Sequence, residues 1–455
     1  MHKRYFPLAA CALILSASAA VNGASTLMTP STQSAQTRPV RLVFAHYMVC
    51  LPTAGPAATI ADYENEIREA QSRGIDGFAL NCGGWTSGGS YYKSRCAAIY
   101  EAAKRLRTGF KLFISADYCC GNGEAETRDM IETFRNHPNQ LTWDGKPVLS
   151  TFGGGRLPEI YDLVKKRLTG NDAVVFVPYF FPKTNREHPT SSDIDQVFND
   201  FPDLDGFFYF GAAGTSAAIA TSNTALAQKW LGAGKIFMAD VTPFYRSTGR
   251  VYETNGFEGM AEEWEGVIKA NPTWVEITTW NDFQEKTYVS PFGPPALQEL
   301  PAWHNWSAYS HAAYLDASRY YIDWYKSGKR PAIKSDKLYY FYRVEPKSAS
   351  GRQYMDIEKR EKMTIAGVDK LEDKIFATCF LTKPAQLTIT SGVLRQTFAL
   401  AAGIHHVAMP FAPGAPHFTL ARGTAILIDK TGEQVIADRN GATSYNYFAG
   451  SAEAR

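Results

Sequence analysis

The stretch Trp274-Val275-Glu276-Ile277-Thr278-Thr279-Trp280-Asn281-Asp282-Phe283-Gln284-Glu285 decides how the chain is read. A β-branched and aromatic run ends in a polar cluster holding two carboxylates, Asp282 and Glu285, three residues apart. Hydrolysis of a sugar acetal requires two such groups, one to give a proton and one to activate water or attack carbon. A lone D-x-x-E more often marks an ordinary solvated strand end. Two features raise its weight: the aromatics Trp280, Phe283 and Tyr288 are interleaved with the acids, and the segment is the last of eight similar strand ends.

Working outward, the chain from Arg41 alternates short apolar runs with amphipathic stretches. Strands are expected at 41–48, 76–82, 111–118, 147–152, 173–180, 206–211, 235–243 and 274–282. Helices are expected near 62–73, 94–107, 124–136, 157–169, 193–200, 221–232, 259–270 and 309–327. Alternation of this kind implies parallel strands with right-handed crossovers, and eight units suit an α/β fold of the (β/α)8 TIM barrel type over residues 39–332. No Gly-x-Gly-x-x-Gly opens the first helix, so a dinucleotide site lacks its phosphate cradle. Gly153-Gly154-Gly155 lacks a P-loop lysine and reads as a loop.

Such barrels gather their functional residues at the C-terminal ends of the strands. The polar residues expected there are His46, Tyr47, Asn81, Asp117, Tyr118, Tyr179, Tyr209, Asp240, Tyr245, Asn281 and Asp282. Trp85, Tyr91 and Tyr92, after the second strand, offer aromatic platforms, as do Trp280 and Tyr288 after the eighth. Strand ends also need hydrogen-bond closure, so each residue taken singly reads as structural before it reads as functional. Together they describe a pocket for a polyhydroxylated ligand.

After residue 332 the pattern changes to short alternating runs at 337–343, 374–381, 385–391, 394–400, 404–409, 416–421 and 424–429, which predict a C-terminal antiparallel β-sandwich over 333–455. Residues 348–370 are charged and aperiodic and read as a connection with local helix at best. At the other end, Lys3 and Arg4 precede the apolar run Leu8–Ala20, an export signal of the bacterial type over 1–23, followed by a Ser/Thr-rich leader over 24–38. A lipoprotein-like box around Cys11 lies too early in that run to serve. The mature chain is therefore expected to be secreted or periplasmic, without a further membrane anchor.

The 47 Lys and Arg balance 45 Asp and Glu for a net charge of +2, which favours neither nucleic acid nor an acidic membrane. A neutral ligand fits this balance. Six cysteines remain after the signal, and export makes disulfides the expected fate, with Cys82–Cys96 preferred because it closes a short loop. No paired Cys-x-x-Cys and no clustered His suggest zinc, so neither metal nor cofactor is expected.

Four motifs at the right strand ends resemble glycoside hydrolase family 71, the endo-α-1,3-glucanases called mutanases. They are Val43-Phe44-Ala45-His46-Tyr47-Met48, Gly74-Ile75-Asp76-Gly77-Phe78-Ala79-Leu80-Asn81, Phe113-Ile114-Ser115-Ala116-Asp117 and Glu276 through Glu285. The resemblance implies an inverting endo-hydrolase of α-1,3-glucan, a monomer acting on a polysaccharide, with Asp282 and Glu285 as its catalytic pair. Glu285 is expected as acid and Asp282 as base, with Asp117 the substitute for either. Between the two acids the fungal members carry Tyr-Gly, whereas this chain has Phe283-Gln284, so neighbouring subsites differ. Two alternatives share the fold: an endo-hydrolase of α-mannan-type or other α-linked glycans, and a carbohydrate-binding barrel without turnover.

Overall fold

The alternation of apolar runs and amphipathic stretches resolves into parallel strands covered by helices. A computed structural model describes residues 41–86, 90–153, 157–179, 189–247, 249–291, 309–348, 353–356, 361–438, 445 and 447–454. The expected signal and leader, and two of the three glycines at 153–155, lie outside the described residues.

The strands of the first region are β1 (Leu42–Met48), β2 (Gly77–Cys82), β3 (Lys111–Asp117), β4 (Thr142–Trp143), β5 (Lys146–Phe152), β6 (Val175–Phe176), β7 (Gly206–Phe208), β8 (Ile236–Val241), β9 (Tyr245–Arg246), β10 (Val251–Tyr252) and β11 (Trp274–Ile277). The helices are α1 (Ile60–Ser72), α2 (Tyr92–Leu106), α3 (Glu124–Phe134), α4 (Leu157–Asp162), α5 (Ser191–Asp200), α6 (Ser216–Gly232), α7 (Phe257–Ala270) and α8 (Ala312–Ser327). Helix starts follow local chemistry: Thr59 caps α1 and Thr190 caps α5, each in a reciprocal capping box with the Asp three residues on.

The parallel strands run in the order β6-β5-β3-β2-β1-β11-β8-β7. The first strand, β1, lies between β2 and the last parallel strand, β11, so the sheet curls on itself. Three strands, β6, β7 and β11, are much shorter than expected. At β6 the Phe176 N–H donates to the Asp205 carboxylate instead of a neighbouring strand, and Pro178 has no N–H to give. Across the gap between β6 and β7, Phe208 N donates to Pro178 O at 3.0 Å.

Side chains two residues apart share a face of a strand. On the inner face Phe44, Phe113 and Trp274 meet edge to face, with centroids 5.0 and 5.9 Å from Phe44. Burying each such ring contributes about 1.5–3 kcal/mol. One pleat further along come His46, Ser115 and Glu276, all buried, and beyond Ser115 stands Asp117. The interior thus passes from apolar to ionisable toward the C-terminal strand ends.

The second region contains β12 (Lys337–Arg343), β13 (Gln353–Asp356), β14 (Glu361–Thr364), β15 (Lys374–Leu381), β16 (Ala385–Ser391), β17 (Leu394–Leu400), β18 (Gly403–Pro410), β19 (His417–Arg422), β20 (Ala425–Thr431) and β21 (Tyr447–Glu453). Two four-stranded antiparallel sheets, β18-β15-β12-β21 and β17-β16-β19-β20, share one apolar core that includes Leu338, Tyr340, Leu387 and Phe418. The segment read as a connection carries the β13–β14 hairpin and a single 3-10 turn at Val368–Lys370, and β21 was not foreseen. Cys82 and Cys96 bring their sulfurs to 3.3 Å, short of the ~2.05 Å of the expected disulfide.

The other face of the β12 sheet joins the core of the first region through Tyr339, Phe341 and Tyr447. At the join Gly256 has φ +63, and a Cβ there would stand 2.8 Å from the Phe341 Cβ. Arg343, fully buried, pairs with Glu253 at 3.2 Å and Asp373 at 2.7 Å and donates to the Glu345 and Glu372 carbonyls. Arg343→Met strands the Glu253 carboxylate and is expected to lower the unfolding free energy by about 3 kcal/mol. An unchanged urea midpoint would show that this pair does not hold the regions together.

Candidate active site

Beyond Ile277 the chain leaves the sheet and returns on itself. Thr279 N donates to Thr287 O at 3.0 Å, the Thr279 and Thr287 hydroxyls pair at 2.9 Å, and Val289 N donates to Thr279 O. The loop is fastened to the end of β1 by Asn281, whose Oδ1 accepts Met48 N at 2.7 Å and whose Nδ2 donates to the Met48 and Leu51 carbonyls. Trp280 N donates to His46 O, and its indole N–H donates to Glu66 at 2.7 Å. Glu66 also accepts from Tyr47 Oη at 3.0 Å. Burial pushes the Glu66 carboxyl up to about 7, against these hydrogen bonds.

Inside this frame Asp282 and Glu285 sit in opposite settings. Asp282 is buried, and its Oδ1 accepts the backbone N–H of Gln284 at 3.0 Å and of Glu285 at 2.9 Å. Burial raises its carboxyl, and these two N–H groups, then His46 and Lys286, draw it back toward the charged form. Glu285 accepts from Tyr245 Oη at 2.7 Å, and its backbone carbonyl accepts Arg246 N, so β9 holds it from both ends. Burial first and the neighbouring Asp282 charge second push Glu285 up to about 8, while the Tyr245 bond opposes them. Lys286, buried and at φ 60, is brought down to about 7 by burial and by Arg246.

His46 links the two sides of the rim. Its Nδ1 stands 2.6 Å from Glu276 Oε1, both residues being buried, and its ring lies within electrostatic reach of both Asp282 and Asp117. Asp117 accepts Cys119 N at 2.8 Å, and Asn81 hydrogen-bonds its side chain, while burial raises its carboxyl. His46, Asn81, Asp117, Tyr245, Asp282 and Glu285 are thus brought together at one end of the sheet.

Other expected ligand contacts lie deeper and are committed within the protein. Tyr47 and Trp280 are bonded to Glu66, and the Trp280 ring packs on Phe78 at 5.1 Å. The Trp85 indole donates to Asp129 at 2.7 Å and is 2% exposed, so it is no open platform. Tyr179 packs among Phe152, Phe208 and Phe210. Tyr209 is buried beside Asp240, whose carboxylate takes the Thr278 hydroxyl. Tyr288 donates to Tyr309 O at 2.6 Å and stacks on His311. In contrast, Tyr91 is the exposed aromatic ring among the described residues, with the Arg95 guanidinium 3.9 Å from its centroid.

Reading the sequence missed Glu66, Glu276 and Lys286. The signal for Glu66 was available: it shares the apolar stripe of α1 with Tyr63, Ile67 and Ala70, where an acid is out of place unless paired. Among the described residues no group of three or more His, Cys, Asp or Glu is disposed to hold a metal ion.

Residues 39–455 match the profile of glycosyl hydrolase family 71. The chain is 29% identical over 429 residues to a glucan endo-1,3-alpha-glucosidase of Schizosaccharomyces pombe, covering 90% of this chain and 94% of that protein. It is 28% identical over 428 residues to a mutanase of Penicillium rubens, covering 90% and 88%. Among solved structures, a GH99 endo-alpha-mannosidase from Bacteroides thetaiotaomicron aligns at a TM-score of 0.49 and 13% identity, over 64% of this chain and 98% of that one. The resemblance carried by the strand-end motifs therefore holds, and the chain belongs to glycosyl hydrolase family 71 and is a glycoside hydrolase.

Proposed function

We propose that this hydrolase cleaves α-1,3-glucan with inversion at the anomeric carbon, using Glu285 as general acid and Asp282 as general base. The observation that carries the assignment is the unequal setting of the two acids: two backbone N–H groups on Asp282, and the Tyr245 hydroxyl on a Glu285 that burial keeps protonated near neutral pH. In this reading Glu285 gives its proton to the glycosidic oxygen as the bond to the leaving sugar breaks. Asp282 takes a proton from the water that attacks from the opposite face. His46, Asn81 and Tyr245 line the sugar site, and Asp117 is the third carboxyl of the rim. The two relatives, a glucan endo-1,3-alpha-glucosidase and a mutanase, support the substrate.

The wider frame of the proposal is a (β/α)8 barrel over 39–332, an antiparallel β-sandwich over 333–455, and a secreted, monomeric protein. The adjacency of β1 and β11 supports the barrel, and the shared core of the two antiparallel sheets supports the sandwich. A fungal relative named as an ascus wall endo-1,3-alpha-glucanase supports action outside the cell.

Asp282→Asn and Glu285→Gln are each expected to lower reducing-sugar release from α-1,3-glucan by about 10²–10⁴-fold with the fold retained. Near-wild-type rates in both variants would sink the assignment, and NMR of the first-formed anomer checks inversion. Comparable turnover of α-mannan would shift the substrate. Activity needs Glu285 protonated, so the rate is expected to fall as pH rises through about 8. The Tyr245 hydroxyl stabilises the ionised form of Glu285, so Tyr245→Phe should move that falling limb to higher pH. A downward shift or none would count against Glu285 as the acid.

A further inference from the structure

The turn that carries Glu285 is held from outside the first region. Lys286, the next residue, adopts φ 60, a left-handed backbone that a non-glycine side chain disfavours and that surrounding contacts must therefore maintain. Its carbonyl accepts a hydrogen bond from the Tyr447 hydroxyl at 3.2 Å, and Tyr447 opens β21, the strand beside β12 at the edge of the β18-β15-β12-β21 sheet. The Tyr447 ring stacks on His311 at 3.9 Å and 19°, and His311 stacks on Tyr288 at 3.9 Å and 9°. All three rings are buried.

The hydrogen bonds determine how this stack is protonated. His311 Nδ1 lies 3.0 Å from the Tyr288 carbonyl, which only accepts, so Nδ1 carries the proton and also faces the Tyr447 oxygen at 2.9 Å. The Tyr447 hydroxyl is thereby left to donate to Lys286. With Nδ1 protonated, His311 Nε2 is the acceptor nitrogen, and it is buried with no hydrogen-bond partner among the described residues. From the other side, Arg246 N holds the Glu285 carbonyl and Tyr245 holds its carboxyl.

We propose that Tyr447 is a positioning residue of the catalytic site: through His311 and the Lys286 carbonyl, the C-terminal sheet sets the turn that aims the Glu285 carboxyl. This rests on Glu285 being the acid. It makes the second region part of the hydrolytic machinery through a hydroxyl 161 residues from its acceptor.

The test is Tyr447→Phe in the full-length protein, which keeps the ring stack and removes the tether, run beside Glu285→Gln on α-1,3-glucan. The expected result is a kcat about ten- to a hundredfold lower with little change in KM, because a relaxed turn misplaces the acid without removing a substrate contact. The falling limb of kcat against pH should also move to lower pH, as Glu285 gains freedom to reach water. A residue with a merely structural role would lower the unfolding temperature and leave that limb in place. Wild-type kcat, or a loss of kcat with an unmoved limb, overturns the proposal. An active Glu285→Gln enzyme is a separate failure, since it removes the acid assignment and the tether's purpose with it.

Discussion

The geometry of the site turns on the buried carboxyl of Glu66. Removing a carboxylate from water costs several kcal/mol unless donors replace the lost solvent. Tyr47 from β1 and Trp280 from the loop after β11 supply them, with Glu66 itself arriving from α1. One helix, the first strand and the loop carrying both candidate acids are thereby brought to a common point. Asn281 reinforces that point with two bonds to Met48 at the end of β1 and one to the Leu51 carbonyl just beyond it. Residues that looked like sugar contacts because of their chemistry are the mounting of the site.

That mounting allows two carboxyl groups three residues apart to behave differently. A carboxylate accepting backbone N–H groups is stabilised when charged, whereas one buried beside another negative charge is destabilised, even with a tyrosine hydroxyl donating to it. Asp282 has the first environment and Glu285 the second. The separation of roles comes from what surrounds each oxygen, and their spacing along the chain says little about it. His46, in reach of both Asp282 and Asp117, connects the eighth strand end with the third.

The positions of the strands could be read from the amino-acid pattern because parallel strands buried on both faces carry near-continuous apolar runs. Such runs made β1, β2, β3 and β8 plain. The pattern failed where tertiary bonds replace ladder bonds, as at Phe176 with Asp205, and where a strand is carried by small residues, as in β21. Among the site residues, Asp117, Asn81, His46, Tyr245, Asp282 and Glu285 were legible as polar groups at strand ends. Whether an aromatic there faces a ligand or the core was not legible. Trp280 and Trp85 have the same composition either way, and only their hydrogen-bond partners Glu66 and Asp129 decide it.

The join between the regions bears on how this protein can vary over time. Gly256 leaves room for Phe341, and Arg343 supplies the charge that Glu253 needs, so each side carries features that make sense only with the other present. Exchange of the C-terminal sheets for those of an unrelated protein would leave an uncompensated acid and a badly filled seam. The two regions are therefore constrained to be inherited as one, with changes on either side accepted in matched pairs. Continuity of the family match from 39 to 455 has the same form.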